Sequence, residues 1–173
     1  MPFVGAVLLL GAAGCAPRQA MPLPQPPQIT SAPIAPTPPS TTIMVSPNVS
    51  VSDDIAAACK LRFDDVASAP KFDFDKSALG PQDADILAQL AACLTTGPLT
   101  GRALELVGRA DPRGESEYNM ALGGRRASSV GFLLSRLGVE SERVTQSSRG
   151  KLDATGFDEA GWQRDRRVDI LLR

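Results

Sequence analysis

Ten of the chain's 15 prolines fall between residues 16 and 48, and that crowding constrains the fold more than any other stretch. Proline fixes φ and has no backbone N–H, so neither a helix nor a sheet interior forms through such a run. Ser, Thr, Gln and Ala fill the gaps, leaving too little apolar surface to offset the entropy of ordering. The segment reads as a semi-rigid spacer, partly polyproline II, with a reach of roughly 100 Å at about 3.1 Å per residue. It divides the chain into 1–14, a tether over 15–50, and a domain over 51–173.

Charge follows the same division. Arg18 is the only charged residue before Asp53, and the remaining 17 basic and 19 acidic residues all lie beyond it. Residues 51–173 are enough to bury a core of their own. A net charge of −1 gives no basic stripe of the kind nucleic acid needs. The chain has no histidine, which excludes His-based acid–base chemistry, Ser–His and Cys–His nucleophiles, and zinc sites with a His ligand. The three cysteines, Cys15, Cys59 and Cys93, form no CxxC pair, so no metal centre and no cofactor is expected.

Residues 3–14 are small and aliphatic. As a helix they would rise roughly 18 Å, short of the ~30 Å of a bilayer's hydrocarbon core, which suits the apolar centre of a secretory signal. The Ala12-Ala13-Gly14-Cys15 stretch that follows resembles the lipobox of bacterial lipoproteins. The resemblance implies that Cys15 is lipidated and becomes the mature N-terminus. It also implies an outer-membrane anchor with the domain in the periplasm, since Ala16 is not the aspartate associated with inner-membrane retention. Ala12 stands where leucine is usual, and Met1-Pro2 carries no basic residue.

Within the domain, Asp53 and Asp54 ahead of an alanine-rich run predict a short helix. Lys71 to Asp75 alternates polar and apolar residues as a strand does. Pro81 opens a helix carrying Ile86, Leu87, Leu90, Ala91 and Leu94, closed by Gly97-Pro98. Residues 102–108 read as a strand, 111–114 as a turn, and Glu115 to Leu137 as a long helix ended by Gly138. Arg143–Arg149 and Arg167–Leu172 read as two further strands, with Trp162 as an apolar plug between them. The expected fold is α+β, ordered β-α-β-α-β-β, with two main helices packed on a mixed sheet. Cys59 and Cys93 suit a disulfide in an oxidising compartment, or two buried thiols; both readings stand.

The stretch from Val107 to Val130 resembles the peptidoglycan-binding signature of the OmpA-like family, in particular its peptidoglycan-associated lipoproteins. The matching features are Gly108-Arg109-Ala110-Asp111, Gly114, Tyr118-Asn119, Leu122-Gly123 and Arg125-Arg126-Ala127. Phe72 to Lys76, Gly138-Val139 and Arg166-Arg167-Val168 match on either side. The resemblance implies a domain that binds the stem peptide of peptidoglycan without catalysis, usually through meso-diaminopimelate, whose free end carries an ammonium and a carboxylate on one carbon. Asp111 would accept from the ammonium, Arg126 would grip the carboxylate, and Asn119 would bond the peptide backbone.

It also implies docking of Tol-Pal-like periplasmic proteins as an alternative role. From local sequence alone, Asp111 before Pro112 also reads as a helix N-cap, and Arg125 or Arg126 as a solvated surface residue. Tyr118, Phe72 and Phe74 read as core, and Asp73 and Asp75 as solvated edge charges rather than a hydrolytic pair. The sequence departs from the family at Arg109, where histidine is common, and at Asp165, where asparagine is common.

Overall fold

The computed structural model of the chain describes residues 41–62 and 72–173. Residues 1–40, with the signal-like run, Cys15 and most of the prolines, lie outside the described residues, as do residues 63–71.

The elements in order are β1 (Thr42–Met44), β2 (Val49–Ser52), α1 (Asp53–Cys59), α2 (Pro81–Thr95), β3 (Leu104–Arg109), α3 (Ser116–Arg136), β4 (Val144–Gly150), α4 (Glu159–Asp165) and β5 (Val168–Leu172). A single 3-10 turn, Ser141–Arg143, leads into β4. The strands form one mixed sheet ordered β1-β2-β5-β3-β4. β2 runs parallel to β5, β5 antiparallel to β3, and β3 parallel to β4. This is the expected α+β class, with α2 and α3 sharing one core with the sheet.

The core follows from two periodicities. Val49, Val51, Leu104, Leu106, Val168 and Ile170 alternate onto one face of the sheet and are all buried. Against them lie Leu87, Leu90 and Leu94 of α2 and Ala127, Val130 and Leu134 of α3, at helical spacing. Gly138, at φ +93°, ends α3 while the Val139 N–H donates back to the Leu134 carbonyl (3.0 Å). Cys59 and Cys93 are joined by a disulfide, with Cα atoms 5.5 Å apart, which ties α1 to α2.

Three expectations are corrected. The strand read at residues 71–75 is absent from 72–80: Phe72 is buried but Phe74 is exposed, and Asp75 sits at φ +61°, which breaks an extended run. The first strands are instead β1 and β2, so the tether expected over 15–50 overlaps a hairpin that is part of the sheet. The connection holding Phe157 and Trp162 contains α4, whose N-cap Asp158 accepts from the Gly161 N–H (2.7 Å).

Candidate functional site

The site forms where β3 ends and α3 passes over it. Gly108 of β3 and Gly123 of α3 meet backbone to backbone: a Cβ on Gly108 would lie 1.8 Å from the Gly123 carbonyl oxygen. No side chain fits there, so α3 lies directly on β3. One turn beyond Gly123, Arg126 is carried towards the end of β3, where the chain turns at Asp111. Asp111, Asn119 and Arg126 line one pocket of about 110 Å³, together with Phe74, Asp75, Arg113, Gly114, Tyr118 and Leu122. The three residues singled out in the sequence are therefore brought together.

Arg126 is the most unusual of them. It is fully buried, its guanidinium centre 4.9 Å from the Phe72 ring. Nε donates to the Lys76 carbonyl (2.9 Å), Nη1 to the Arg109 carbonyl (2.8 Å) and Nη2 to the Asp73 carbonyl at a long 3.5 Å. No carboxylate pairs with it among the described residues. A guanidinium has five N–H donors, so two remain. Burial first, and repulsion from Arg166 second, push its pKa down to about 10.

Asp111 is also buried but well supplied with partners. Its Oδ1 accepts from the backbone N–H and Nε of Arg113 (both 3.2 Å), and Oδ2 from Arg113 Nη2 (2.8 Å) and Arg166 Nη1 (3.1 Å). Burial alone would raise its pKa, but the hydrogen bonds from Arg113 and Arg166 outweigh that and hold it below the ordinary carboxylate value. The helix N-cap reading is corrected: α3 begins at Ser116 with Glu115 as its cap, and Asp111 turns the chain onto Arg113 instead. Asn119 is buried and its Nδ2 donates to the Arg113 carbonyl (2.6 Å), so it braces the same turn.

Sequence reasoning assigned no role to Arg113 and none to Arg166 beyond its motif. Arg113 lies between the rings of Trp162 (4.1 Å) and Phe74 (4.6 Å), so Trp162 backs a cation rather than simply plugging the core. Arg166, nearly inaccessible, also donates to the Phe72 carbonyl (2.6 Å) and to Glu159 (2.9 Å). The pairing of Arg166 with Asp111 spans 55 residues, and nothing in the local pattern signals it.

Tyr118 and Phe74, read as core, are exposed and line the pocket; the Tyr118 hydroxyl donates to Asp75. The two family departures point elsewhere. The Arg109 guanidinium pairs with Asp153 and Asp169, and Asp165 accepts the N–H groups of Thr155 and Gly156. Neither lines the pocket.

The OmpA family's sequence profile matches residues 71–167. The chain is similar to the peptidoglycan-associated lipoprotein of Pseudomonas aeruginosa, at 44% identity over 73 residues, 41% of this chain and 44% of that protein. It is similar to that of Pasteurella multocida at 42% over 85 residues, 48% of this chain and 55% of that one. The chain thus spans about half the length of the curated relatives it matches.

Among solved structures, the peptidoglycan-associated lipoprotein of Burkholderia pseudomallei superposes with a TM-score of 0.55 and 40% identity, over 59% of this chain and 86% of that one. The C-terminal domain of Helicobacter pylori MotB shares the fold, at a TM-score of 0.53 and 18% identity, over 59% of this chain and 81% of that one. The matched profile covers more than half of the chain and contains every pocket residue named above, so the chain belongs to the OmpA family.

Proposed function

We propose that this domain grips the peptide stem of peptidoglycan noncovalently and, through a lipid on Cys15 and the proline-rich segment, ties the outer membrane to the wall, with no catalytic step. The observation that carries this reading is Arg126: a buried cation with no carboxylate partner among the described residues and donors left over, lining the same pocket as a buried carboxylate. Such an arrangement favours an incoming group that brings its own anion.

The carboxylate at the free end of meso-diaminopimelate takes the remaining Arg126 donors. The ammonium on the same carbon takes Asp111, whose four acceptor positions are held by Arg113 and Arg166 when the pocket is empty. Arg113, the more exposed of the two clamps, turns to the peptide as it is displaced. Modest affinity suffices, because many tethers act in parallel. The names of the peptidoglycan-associated relatives support the same polymer.

The test is co-sedimentation of the full chain with two kinds of sacculi, one with diaminopimelate stems and one with lysine stems, which lack the distal carboxylate. Binding to the first alone is expected. Equal binding to both would remove Arg126 from the mechanism.

A second reading is docking of a periplasmic protein, as in a Tol-Pal-like complex. Of eight exposed large apolar side chains among the described residues, five sit at this end of the domain: Phe74, Tyr118, Met120, Leu152 and Phe157. Phe157 is 89% exposed, and apolar surface of this kind around a polar pocket suits a protein interface. Pull-down from solubilised envelopes with and without added peptidoglycan separates the two: a protein captured only in its absence shares the pocket end.

A further inference from the structure

The sheet register fixes which end of the domain carries the pocket and which end receives the chain from the N-terminal side. Asp111 follows β3 and Arg166 precedes β5, and Gly108 pairs with Val168, so the pocket lies at that end of both strands. Val49 pairs with the same Val168, so β2 starts at the pocket end and runs away from it. β1 is antiparallel to β2, with Thr42 opposite Ser52 and Met44 opposite Ser50. The chain therefore enters the sheet at Thr42, at the end opposite the pocket.

Any pull between the two ends acts along the strands. It draws β1 lengthwise past β2 and loads its three residue pairs together. The connection from β1 to β2, at the pocket end, is then what stops β1 from sliding. That connection is held at the sheet by the Asn48 carbonyl, which accepts from the Val168 N–H (2.9 Å), and at α2 by a single side chain.

Asp83, in the first turn of α2, is fully buried and has no cation among its hydrogen-bond partners. Its Oδ1 accepts from Ser46 Oγ (2.7 Å) and the Asn48 N–H (3.1 Å), and its Oδ2 from Asn48 Nδ2 (2.6 Å) and the Gly80 N–H (2.8 Å). Three of these four bonds hold the hairpin turn onto the helix; only the Gly80 bond serves the helix itself. Bonds to an ionised acceptor are roughly twice as strong as neutral ones. Asn48 Oδ1, buried in the same turn, has no partner, so the side chain is placed there for its donor.

We propose that the β1–β2 hairpin and its Asp83 clasp form a mechanical joint, built to resist pulling between the pocket and the N-terminal side of the chain. The joint gives the tether of the preceding section its mechanical end point, and it rests on that reading for the direction of the load. Removal of the clasp leaves the pocket residues untouched but lets β1 slide.

Single-molecule pulling of the full, unlipidated chain tests this. Cys59 and Cys93 are joined, so Cys15 supplies one attachment thiol. The second attachment is either a Lys151→Cys thiol, beside Gly114 at the pocket rim, or a tag after Arg173, whose N–H meets the Ala103 carbonyl at the far end. Pulling through Lys151→Cys runs along the strands, whereas pulling from the C-terminal tag peels β1 from its own end. The lengthwise rupture force is expected to be about threefold higher, with three pairs loaded together rather than in turn.

Asp83→Asn removes the charge and replaces one of the two accepting oxygens with an NH2 group that cannot accept, so it is expected to lower the lengthwise force by at least about half. Ser46→Ala, which removes one bond and keeps the carboxylate, is expected to give a smaller drop and guards against misfolding of the first variant. Equal forces in the two geometries, or a lengthwise force unchanged in both variants, overturn the joint. The attachments are covalent, so failure of wild-type sacculus binding overturns the wall-binding reading separately.

Discussion

Arg126→Met separates the cost of the site from its use. Methionine is flexible enough to keep the packing on Phe72 while the charge and donors are removed. In the folded protein the guanidinium pKa is pushed down to about 10, well below that of an ordinary arginine, a difference of roughly 3 kcal/mol. The folded value of a base is lowered, so its charged form opposes folding. That penalty is complete below about pH 10 and fades as the pH rises towards the value in the unfolded chain.

Against the relief of this penalty stand three carbonyls, of Lys76, Arg109 and Asp73, that lose a donor. The two short bonds from this charged group, to Lys76 and Arg109, are worth at least about 1.5 kcal/mol each and the long one to Asp73 adds little, roughly 3 kcal/mol together. The terms nearly cancel, so urea denaturation at neutral pH should place Arg126→Met within about 2 kcal/mol of wild type, in line with other replacements of buried charges by apolar residues. Co-sedimentation with sacculi should be lost. A destabilisation above about 4 kcal/mol would mean the charge is compensated in the folded protein, against the account above. Retained sedimentation would remove Arg126 from the site.

Gly123→Ala places a methyl 2.3 Å from Ser148 Oγ and 2.8 Å from the Gly108 carbonyl oxygen. Overpacking of this kind costs about 1–3 kcal/mol; α3 should lift from β3, with weaker sacculus binding and a lower urea midpoint, whereas Gly124→Ala, with open space around it in the same helix, should leave binding unchanged and raise the midpoint slightly. Reduction of the Cys59–Cys93 bond, which spans 34 residues, should cost about 4 kcal/mol in the chain-entropy model. Urea curves with and without a thiol reductant measure this, and overlapping curves would contradict it. Asp153 is held at about 2 by Arg149 first, with Arg109 also lowering it against an opposing effect of burial. Its folded value is depressed, so its stabilisation is present above about pH 4 and fades as the pH falls through about 2. Asp153→Asn should flatten that acid limb of a thermal-melt series, and an unchanged limb would contradict the assignment.

The two long helices and the strands β3 and β5 are legible because each carries an apolar period of its own, whereas β4 has Val144 as its one large apolar side chain and lacks such a period. The hairpin is not legible. Val49 and Val51 do alternate with Ser50 and Ser52, but Pro47 lies beside them and the proline density upstream drew the reading towards a spacer. Period two was the signal that would have found β2. At Phe72 and Phe74 the same signal misled: the alternation is real in the sequence, yet the left-handed turn at Asp75 sends the chain elsewhere and leaves one ring in the core and the other at the pocket. Asp111, Asn119 and Arg126 were found together because one turn and one helix carry them. Arg166 reaches Asp111 only through the pairing of β5 with β3, a long-range event that local pattern does not encode.

The chain has no histidine, and its pocket charges come from arginine and carboxylate groups alone. Asp111 keeps its negative charge to below the ordinary carboxylate range, and Arg126 keeps its positive charge to about pH 10. A clasp of this composition has nothing to switch between mild acid and mild alkali. On the wall-binding reading proposed above, attachment would hold through swings of acidity that would release a histidine-based contact.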